Sequence, residues 1–283
     1  MPRTTLAASL IPALSRRERE KKQALHWPAR GVFAKLPAMT PEPAALGTVA
    51  ALNRYPVKSM QAEPLESAEL FWTGLHGDRQ YAFVKAENTS AFPWLTGRDL
   101  PALVLHRARY ADPADPRRAR VQVLAPDGAA FDLADPALAA RLAEAAGGPV
   151  RLMQTGRGAY DAMPVSVLAT TTADAIGQAH GTPVGLDRFR ANVVIQPNDP
   201  ASTDADWLGR TLLFGDGPDA PGLRLDWAIP RCAMVAINAA TAAKDPAVLR
   251  TVVQQFGNRV GTYCAVHRPG TIRIGDRVRL AAP

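Results

Sequence analysis

The residue of this sequence with the most distinctive chemistry is Cys232, which directly follows Arg231. A neighbouring guanidinium favours the thiolate form of a cysteine. A thiolate is either a nucleophile or a soft ligand for a transition metal. The competing interpretation is a buried structural cysteine, the common state of a free thiol. The other cysteine, Cys264, lies in a strand-like run and is predicted to belong to the core.

A second group of residues is suited to holding a phosphate. Phosphates are bound by fixed donors and cations, and a Lys-Ser pair with two arginines offers an ammonium, a hydroxyl and two planar guanidinium groups. The candidates for this role are Lys58, Ser59, Arg79 and Arg190. Each of them is equally compatible with an ordinary solvated position at the surface. The residue types alone therefore leave both interpretations open.

Other cofactor classes find no support in the sequence. The five histidines are scattered and show no short metal-ligand spacing, and no Gly-rich nucleotide fingerprint indicates NAD or flavin binding. Two cysteines are too few for a [2Fe–2S] cluster, which takes about four ligands. They also exclude a disulfide scaffold and are typical of a reducing compartment. Electrons for a redox reaction are therefore expected from another protein.

The excess positive charge of the chain lies at its N-terminus. The net charge is +7, but residues 1–38 carry eight Lys and Arg against two acidic residues, and the remainder carries 25 against 24. A basic nucleic-acid-binding face is therefore not supported. Residues 1–46 are predicted to be a basic, disordered extension, with a transit peptide or a start mis-assigned upstream of Met39 as alternatives. Because no stretch is apolar enough for a secretory signal or a membrane span, we expect a cytoplasmic location.

The elements that must position these residues are mainly strands. Extended runs are predicted at residues 47–57, 67–72, 80–84, 103–110 and 121–124, and later at 193–196, 211–214, 223–226, 234–238, 260–266 and 271–280. Helical composition occurs at residues 137–147, 172–179 and 247–255, and Gly147-Gly148-Pro149 is a stop for the first helix. Trp207 and Trp227 are predicted to be core residues rather than a substrate platform.

These patterns predict a mainly β (α+β) fold. No βαβ repeat and no internal repeat is visible. We expect an N-terminal β-barrel-like region over residues 47–155, followed by a β-barrel domain with a few helices over residues 156–283. The predicted boundary lies at the glycines of residues 156–158.

Five separated segments combine into a recognisable order and spacing. They are residues 55–60 (YPVKSM), 74–79 (GLHGDR), 95–98 (LTGR), 188–194 (RFRANVV), and 231–232 (RC) with the terminal 269–276 (PGTIRIGD). Together they resemble the MOSC family over residues 47–283, in its two-part form with an N-terminal β-barrel region. The relatives that the resemblance suggests are the mitochondrial amidoxime-reducing component and its bacterial counterparts.

The resemblance implies a molybdenum-molybdopterin cofactor with Cys232 as its metal ligand and catalytic residue. The cofactor-binding residues that it implies are Lys58, Ser59, Arg79, Arg98, Asp161, Arg190, Asn192 and Arg231. Arg98 is also compatible with a simple turn and Asn192 with a cap at a strand start. The stretch around Asp161 departs from the more polar run of the relatives, because Ala162 and Met163 offer only backbone groups.

The activity implied by the resemblance is a molybdenum-dependent oxidoreductase that reduces N-hydroxylated compounds such as amidoximes, hydroxylamines and N-hydroxylated base analogues. Its electrons would come from a separate ferredoxin-like or cytochrome-b5-like protein with its reductase. The main alternative is a carrier of sulfur, as a persulfide, or of the molybdenum cofactor. A third is a β-barrel interaction module without metal. The family at large is also linked to pyridoxal phosphate binding.

Overall fold

The structure, a computed structural model, describes residues 45–282. The predicted disordered extension over residues 1–46, the transit peptide and the alternative start at Met39 therefore lie outside the described residues, except for residues 45 and 46. The Leu46 amide donates to the Val278 carbonyl oxygen. Within residues 45–282, no helix is both long and apolar enough to cross a membrane.

Most of the described chain is built from strands. Seven of them form a barrel: β1 Gly47–Arg54, β10 Val165–Ala169, β11 Val193–Pro197, β12 Thr211–Phe214, β13 Gly222–Pro230, β14 Arg259–Arg268 and β16 Arg277–Leu280. The others are β2 Glu63–Leu65, β3 Ser67–Phe71, β4 Gly74–Leu75, β5 Tyr81–Lys85, β6 Arg107–Tyr110, β7 Val121–Leu124, β8 Ala130–Asp132, β9 Val150–Gln154 and β15 Gly270–Arg273.

The barrel closes because β1 pairs on both of its edges. The strand order is β11-β10-β14-β13-β12-β16-β1, and β1 returns to β11 in an antiparallel ladder from Gly47 opposite Pro197 to Leu52 opposite Val193. Inward-facing side chains of these strands fill the interior, and they include Val49, Leu52 and Val167. A closed ring leaves no unpaired barrel edge. The predicted mainly β class with a barrel is confirmed.

The remaining strands form smaller sheets beside the barrel. Strands β5 and β9 pair with each other, β6, β7 and β8 form a three-stranded sheet, and β3 pairs with both β4 and β15. A second apolar core lies under the first two of these sheets and contains Val57, Met60, Phe83, Leu95 and Leu138. Because Val57 and Met60 flank residues 58 and 59, this core fixes the backbone of that segment.

Three α-helices occur in the described residues: α1 Pro136–Ala146, α2 Thr170–His180 and α3 Pro246–Gln255. The Asp135 side chain caps α1 by accepting a hydrogen bond from the Ala137 amide, and Gly147 ends the helix at φ 73°. Only glycine adopts such a left-handed C-cap without strain. The predicted stop at residues 147–149 is confirmed.

Several predicted strands differ from the structure. Residues 234–238 were predicted as a strand, but the chain forms a 3-10 helix at Ala233–Ala236. The run at residues 103–110 begins as the 3-10 helix Pro101–Leu105, since proline at a first helical turn favours that geometry. The turn at Gly275, with φ 84°, divides residues 271–280 into two strands. Strand β10 was missed because all five of its residues are buried, so its short run shows no sustained alternation of apolar and polar residues.

The predictions for three core candidates have mixed outcomes. Trp207 and Cys264 are buried, as predicted, with 2% and 0% of their surface exposed. The prediction for Trp227 is wrong, because 49% of this residue is exposed on β13. Its position on the outer face of the strand follows from the β-bulge between Leu225 and Trp227, which the sequence pattern does not show.

Candidate functional site

A cavity of about 560 Å³ brings together most of the residues singled out in the sequence. Its size is within the usual range of small-molecule sites. Eight of the nine candidates line it: Lys58, Ser59, Arg79, Arg98, Asp161, Arg190, Arg231 and Cys232. These residues come from six separate segments of the chain, so their meeting is a property of the fold.

The segments that supply the cavity are loops next to barrel strands. Lys58 and Ser59 follow β1, and Cys232 follows β13. Asp161 precedes β10, and Arg190 precedes β11. Since β1, β10, β11 and β13 belong to one closed barrel, the barrel serves as a rigid support for side chains that are carried on loops.

Three cavity residues have a left-handed backbone. Ser59, Arg79 and Arg190 have φ values of 67°, 49° and 54°, and they are three of the five described non-glycine residues with positive φ. Such conformations cost about 1–2 kcal/mol per residue and concentrate at functional sites. The backbone strain at these three residues therefore supports a functional role for the cavity.

Lys58 is held at the cavity by two short hydrogen bonds. Its Nζ lies 2.6 Å from the carbonyl oxygen of Ala159 and 2.6 Å from Oδ1 of Asp161. Burial lowers the pKa of Lys58, and the Asp161 carboxylate partly offsets that effect. For Asp161, burial opposes ionisation, but Lys58, Arg79 and Arg98 together hold its pKa below the usual value. The pair is therefore ionic at neutral pH.

Arg79 and Arg190 share one aromatic ring. Their guanidinium carbons lie 4.5 Å and 4.3 Å from the ring centroid of Tyr55, which is 1% exposed. Arg79 also donates to the Arg190 carbonyl at 3.1 Å and pairs with the buried carboxylate of Asp78. Burial lowers the pKa of Arg190 to about 10. Both guanidinium groups are thus charged at neutral pH, and an anion in the cavity would relieve part of their desolvation cost.

Arg231 and Cys232 form the opposite part of the cavity lining. Arg231 donates to the carbonyl oxygens of Val260 at 2.7 Å and Phe189 at 2.9 Å, and burial lowers its pKa to about 10. Cys232 is exposed and carries a free thiol at the start of the 3-10 helix Ala233–Ala236. The thiol is therefore accessible to a ligand, and the buried-cysteine interpretation applies to Cys264 alone.

Arg98 is more loosely attached to the site. It is exposed, its Nε lies 3.5 Å from the Thr96 hydroxyl oxygen, and its guanidinium carbon lies 5.2 Å from the Phe92 ring centroid. The turn at this position is also present, since Asp99 accepts hydrogen bonds from the Thr96 amide and hydroxyl. Arg98 therefore lines the cavity and also belongs to a turn, and its role in cofactor binding stays a prediction.

Asn192 is the candidate that does not line the cavity. It is 1% exposed, and its Oδ1 accepts hydrogen bonds from the Ser166 amide, the Ser166 hydroxyl and Arg79 Nη1. Its Nδ2 donates to the Asn53 carbonyl oxygen. Both ends of the amide are thus occupied by the protein, which places Asn192 behind Arg79, and its contact with a cofactor stays a prediction.

Two further cavity residues with titratable side chains were missed by the sequence analysis. Arg188 lines the cavity and donates to the Val235 carbonyl at 3.3 Å. Arg188 is the first residue of the segment at residues 188–194, so its position two residues before Arg190 could have marked it as a candidate. Tyr263 also lines the cavity. No local signal marked it, because it lies beside the buried Cys264 in a run with ordinary strand composition.

Fold and site together define a class: a closed β-barrel protein with a cationic small-molecule cavity next to an exposed thiol. The chain belongs to the MOSC family in its two-part form. Residues 46–163 match the MOSC N-terminal beta barrel domain, and residues 154–279 match the MOSC domain. The predicted boundary between residues 155 and 156 lies within the overlap of these matches and stays a prediction.

The described chain is also similar to several solved structures. These include the YuaD protein from Bacillus subtilis (13% identity, TM-score 0.43, 83% of this chain and 94% of that chain). They also include YiiM from Geobacillus stearothermophilus (17% identity, TM-score 0.33, 42% of this chain and 54% of that chain). A third is YiiM from Escherichia coli (12% identity, TM-score 0.36, 81% of this chain and 70% of that chain). No significant match to a curated protein sequence was found.

Proposed function

We propose that this chain is a molybdenum-cofactor-dependent oxidoreductase that reduces N-hydroxylated compounds, such as amidoximes, hydroxylamines and N-hydroxylated base analogues. The observation that carries the proposal is the meeting of buried cations and an exposed thiol, Cys232, at one cavity. Membership of the MOSC family supports the cofactor class. The substrate class rests on the family resemblance of the sequence.

The residues present fit an anionic pterin cofactor. Lys58, Arg79, Arg190 and Arg231 surround the cavity with positive charge, and Asp161 is paired with Lys58. The Nη2 atoms of Arg190 and Arg231 are buried and make no hydrogen bond within the described residues. Buried donors of this kind are normally satisfied. A phosphate-bearing ligand would bring acceptors and negative charge to this group of donors.

Each part of the site has a distinct role in this proposal. Lys58, Ser59, Arg79 and Arg190 hold the anionic end of the cofactor, and the Cys232 thiolate is the protein ligand of the metal. Arg231 places a positive charge beside that thiolate. The bound cofactor supplies the two-electron redox chemistry, and the protein supplies orientation and electrostatics.

The electron donor is proposed to be a separate ferredoxin-like or cytochrome-b5-like protein with its reductase. The two cysteines of the sequence cannot ligate an iron–sulfur cluster of their own, and Cys264 is buried inside the barrel. Turnover with NADH and the purified holoprotein alone would contradict this part of the proposal. We also propose a cytoplasmic location, since both cysteines are free thiols.

Elemental analysis together with an amidoxime-reduction assay tests the proposed function. The purified protein, produced with ample cofactor supply, is expected to carry about one molybdenum per chain and to reduce benzamidoxime with an artificial reductant. Cys232→Ser should lose or alter the metal and lose the activity. Cys264→Ser is the matched control, because this thiol is buried away from the cavity. Absence of molybdenum from the wild-type protein would exclude the proposal.

A sulfur or cofactor carrier is the second candidate, and the exposure of Cys232 favours it. A persulfide carrier needs an accessible thiol but has no use for four cations around a cavity of this size. Mass spectrometry distinguishes the two functions. A persulfide on Cys232 in a protein without molybdenum would support the sulfur carrier, and release of bound cofactor to a second enzyme without turnover would support the cofactor carrier.

A further inference from the structure

Tyr263 lines the cavity, and its hydroxyl has no hydrogen-bond partner among residues 45–282. Strand β14 places it opposite Ser166 of β10 and Trp227 of β13. Its side chain lines the same cavity as Arg231 and Cys232. The hydroxyl makes no hydrogen bond with any other described residue. A half-buried tyrosine normally places its hydroxyl on a partner, so this group is available to a ligand.

The orientation of the Tyr263 ring is fixed by its neighbour. The Trp227 ring lies edge-on to it, with centroids 6.5 Å apart and planes at 89°. Edge-to-face pairs of this kind are worth about 0.5–1.5 kcal/mol. Both residues are also held by the β13–β14 ladder, which pairs them directly. The strand pairing and the ring contact therefore favour one orientation of the Tyr263 side chain at the cavity.

The two titratable oxygen groups of the cavity are in opposite protonation states. Asp161 is kept ionised by Lys58, so it is a poor source of protons at neutral pH. Burial, and then the negative charge of Asp161, raise the pKa of Tyr263 above its usual value. Arg231 and Arg79 act in the opposite direction but do not reverse the shift. Groups whose pKa values are driven apart in one site are candidates for acid and base roles.

We propose that the Tyr263 hydroxyl is the proton donor for N–O bond cleavage at this cavity. The inference rests on the proposed function. Reduction of an N-hydroxyl group breaks the N–O bond, consumes two electrons and two protons, and yields the amine or amidine and water. The two electrons come from the molybdenum cofactor of the proposed function. Tyr263 gives one proton to the departing hydroxyl, which becomes water, and solvent supplies the proton on nitrogen and then reprotonates Tyr263.

The chemistry of the leaving group favours such a donor. The departing hydroxide is a far stronger base than a tyrosinate, so proton transfer from Tyr263 is downhill even with a raised pKa. A donor with a lower pKa, such as a free carboxylic acid, would be ionised at neutral pH. Tyr263 remains protonated over the whole physiological range.

The substitution Tyr263→Phe tests the inference, because it removes the hydroxyl and keeps the ring beside Trp227. In the holoprotein we expect kcat for benzamidoxime to fall by about 10²-fold, with KM and molybdenum content within about twofold of wild type. Tyr81→Phe is the matched control, since Tyr81 is half-buried in β5 and does not line the cavity. It should leave kcat and molybdenum content unchanged.

A readout independent of turnover accompanies the kinetics. Absorbance titration of the cofactor-free wild type minus Tyr263→Phe gives the titration of this one tyrosine, with an apparent pKa expected above 10. If Tyr263→Phe keeps kcat within threefold of wild type, or if it loses molybdenum, Tyr263 is not the proton donor. A wild-type protein without molybdenum overturns the proposed function and this inference together, so the two failures are distinguishable.

Discussion

The ammonium of Lys58 lies 2.6 Å from the carboxylate of Asp161, although the two residues are 103 positions apart in the chain. The contact joins the segment after β1 to the segment before β10. Of the other cations of the cavity, Arg79 pairs with Asp78, whereas Arg98, Arg190 and Arg231 form no ion pair within residues 45–282. Asp161 thus neutralises one positive charge of the cavity lining, and the remaining arginines keep the cavity positive.

Replacement of Asp161 by Asn should change how stability depends on pH. The pKa of Asp161 is below its usual value in the folded protein, so its contribution is present above about pH 4 and is lost as the pH falls through the lowered value. Because 59% of its side chain is exposed, we expect a loss of less than about 1 kcal/mol at pH 7. Urea unfolding of the wild type and of Asp161→Asn, from pH 7 downwards, measures this difference in the free energy of unfolding.

The double variant Lys58→Met with Asp161→Asn isolates the ion pair in a double-mutant cycle. The coupling free energy between the two positions should be favourable at pH 7 and should diminish as the pH falls through the lowered pKa of Asp161. A coupling that does not change with pH down to acid unfolding would show that the pair does not act through charge.

Replacement of Tyr55 should separate the role of its ring from that of its hydroxyl. Each guanidinium–ring contact contributes about 0.5–2 kcal/mol, so Tyr55→Leu should weaken the binding of inorganic phosphate to the cofactor-free protein by tenfold or more. Tyr55→Phe keeps both ring contacts and should bind phosphate like the wild type, because the hydroxyl bond to Ala191 is long, at 3.4 Å. Calorimetric titration with inorganic phosphate measures the affinity of both variants. Equal weakening in the two variants would contradict the ring mechanism.

Asp78 is expected to be the most important carboxylate for stability at the site. Its side chain is fully buried, pairs with Arg79 and accepts a hydrogen bond from the Tyr55 amide at 2.8 Å. Asp78→Asn keeps that acceptor but leaves a buried guanidinium without its counter-charge, which costs about 3–5 kcal/mol. Asp216→Asn, at the exposed pair with Arg277, should cost less than about 1 kcal/mol. If denaturant unfolding shows that Asp78→Asn and Asp216→Asn lose equal amounts of the free energy of unfolding, this prediction is wrong.

Gly261 and Gly209 provide a matched test of how Arg231 is placed. Their φ values are 71° and 76°, so an alanine at either position is strained by about 1–2 kcal/mol. At Gly261 the added Cβ would also lie 2.6 Å from Arg231 Nη2, whereas nothing lies within 4 Å at Gly209. We therefore expect Gly261→Ala alone to lower molybdenum occupancy and to be the less stable variant. Elemental analysis measures the molybdenum occupancy of the two variants, and thermal unfolding measures their stability. Equal molybdenum occupancy in Gly261→Ala and Gly209→Ala would argue against a role of Arg231 in cofactor binding.

Much of the fold could be predicted from the sequence, because strand and helix signals are local. Strands β7 and β12 have the predicted bounds, and α1 ends at the predicted glycine. Residues 234–238 were misjudged because a short apolar run after Cys232 is compatible with either a strand or a 3-10 helix. Closure of the barrel by β1 could not be read locally, since its partner β11 lies about 140 residues away.

The sequence by itself determined which side chains are available: one Arg-Cys pair and a set of cations suited to binding an anion. It also determined a mainly β chain that resembles the MOSC family. Only the tertiary structure decided which side chains share the cavity. It turned Asn192 inward to hold Arg79, exposed Trp227, and placed Tyr263 in the cavity lining. The physical reason is that these positions follow from strand pairing and bulges between distant segments, which no local pattern of residues records.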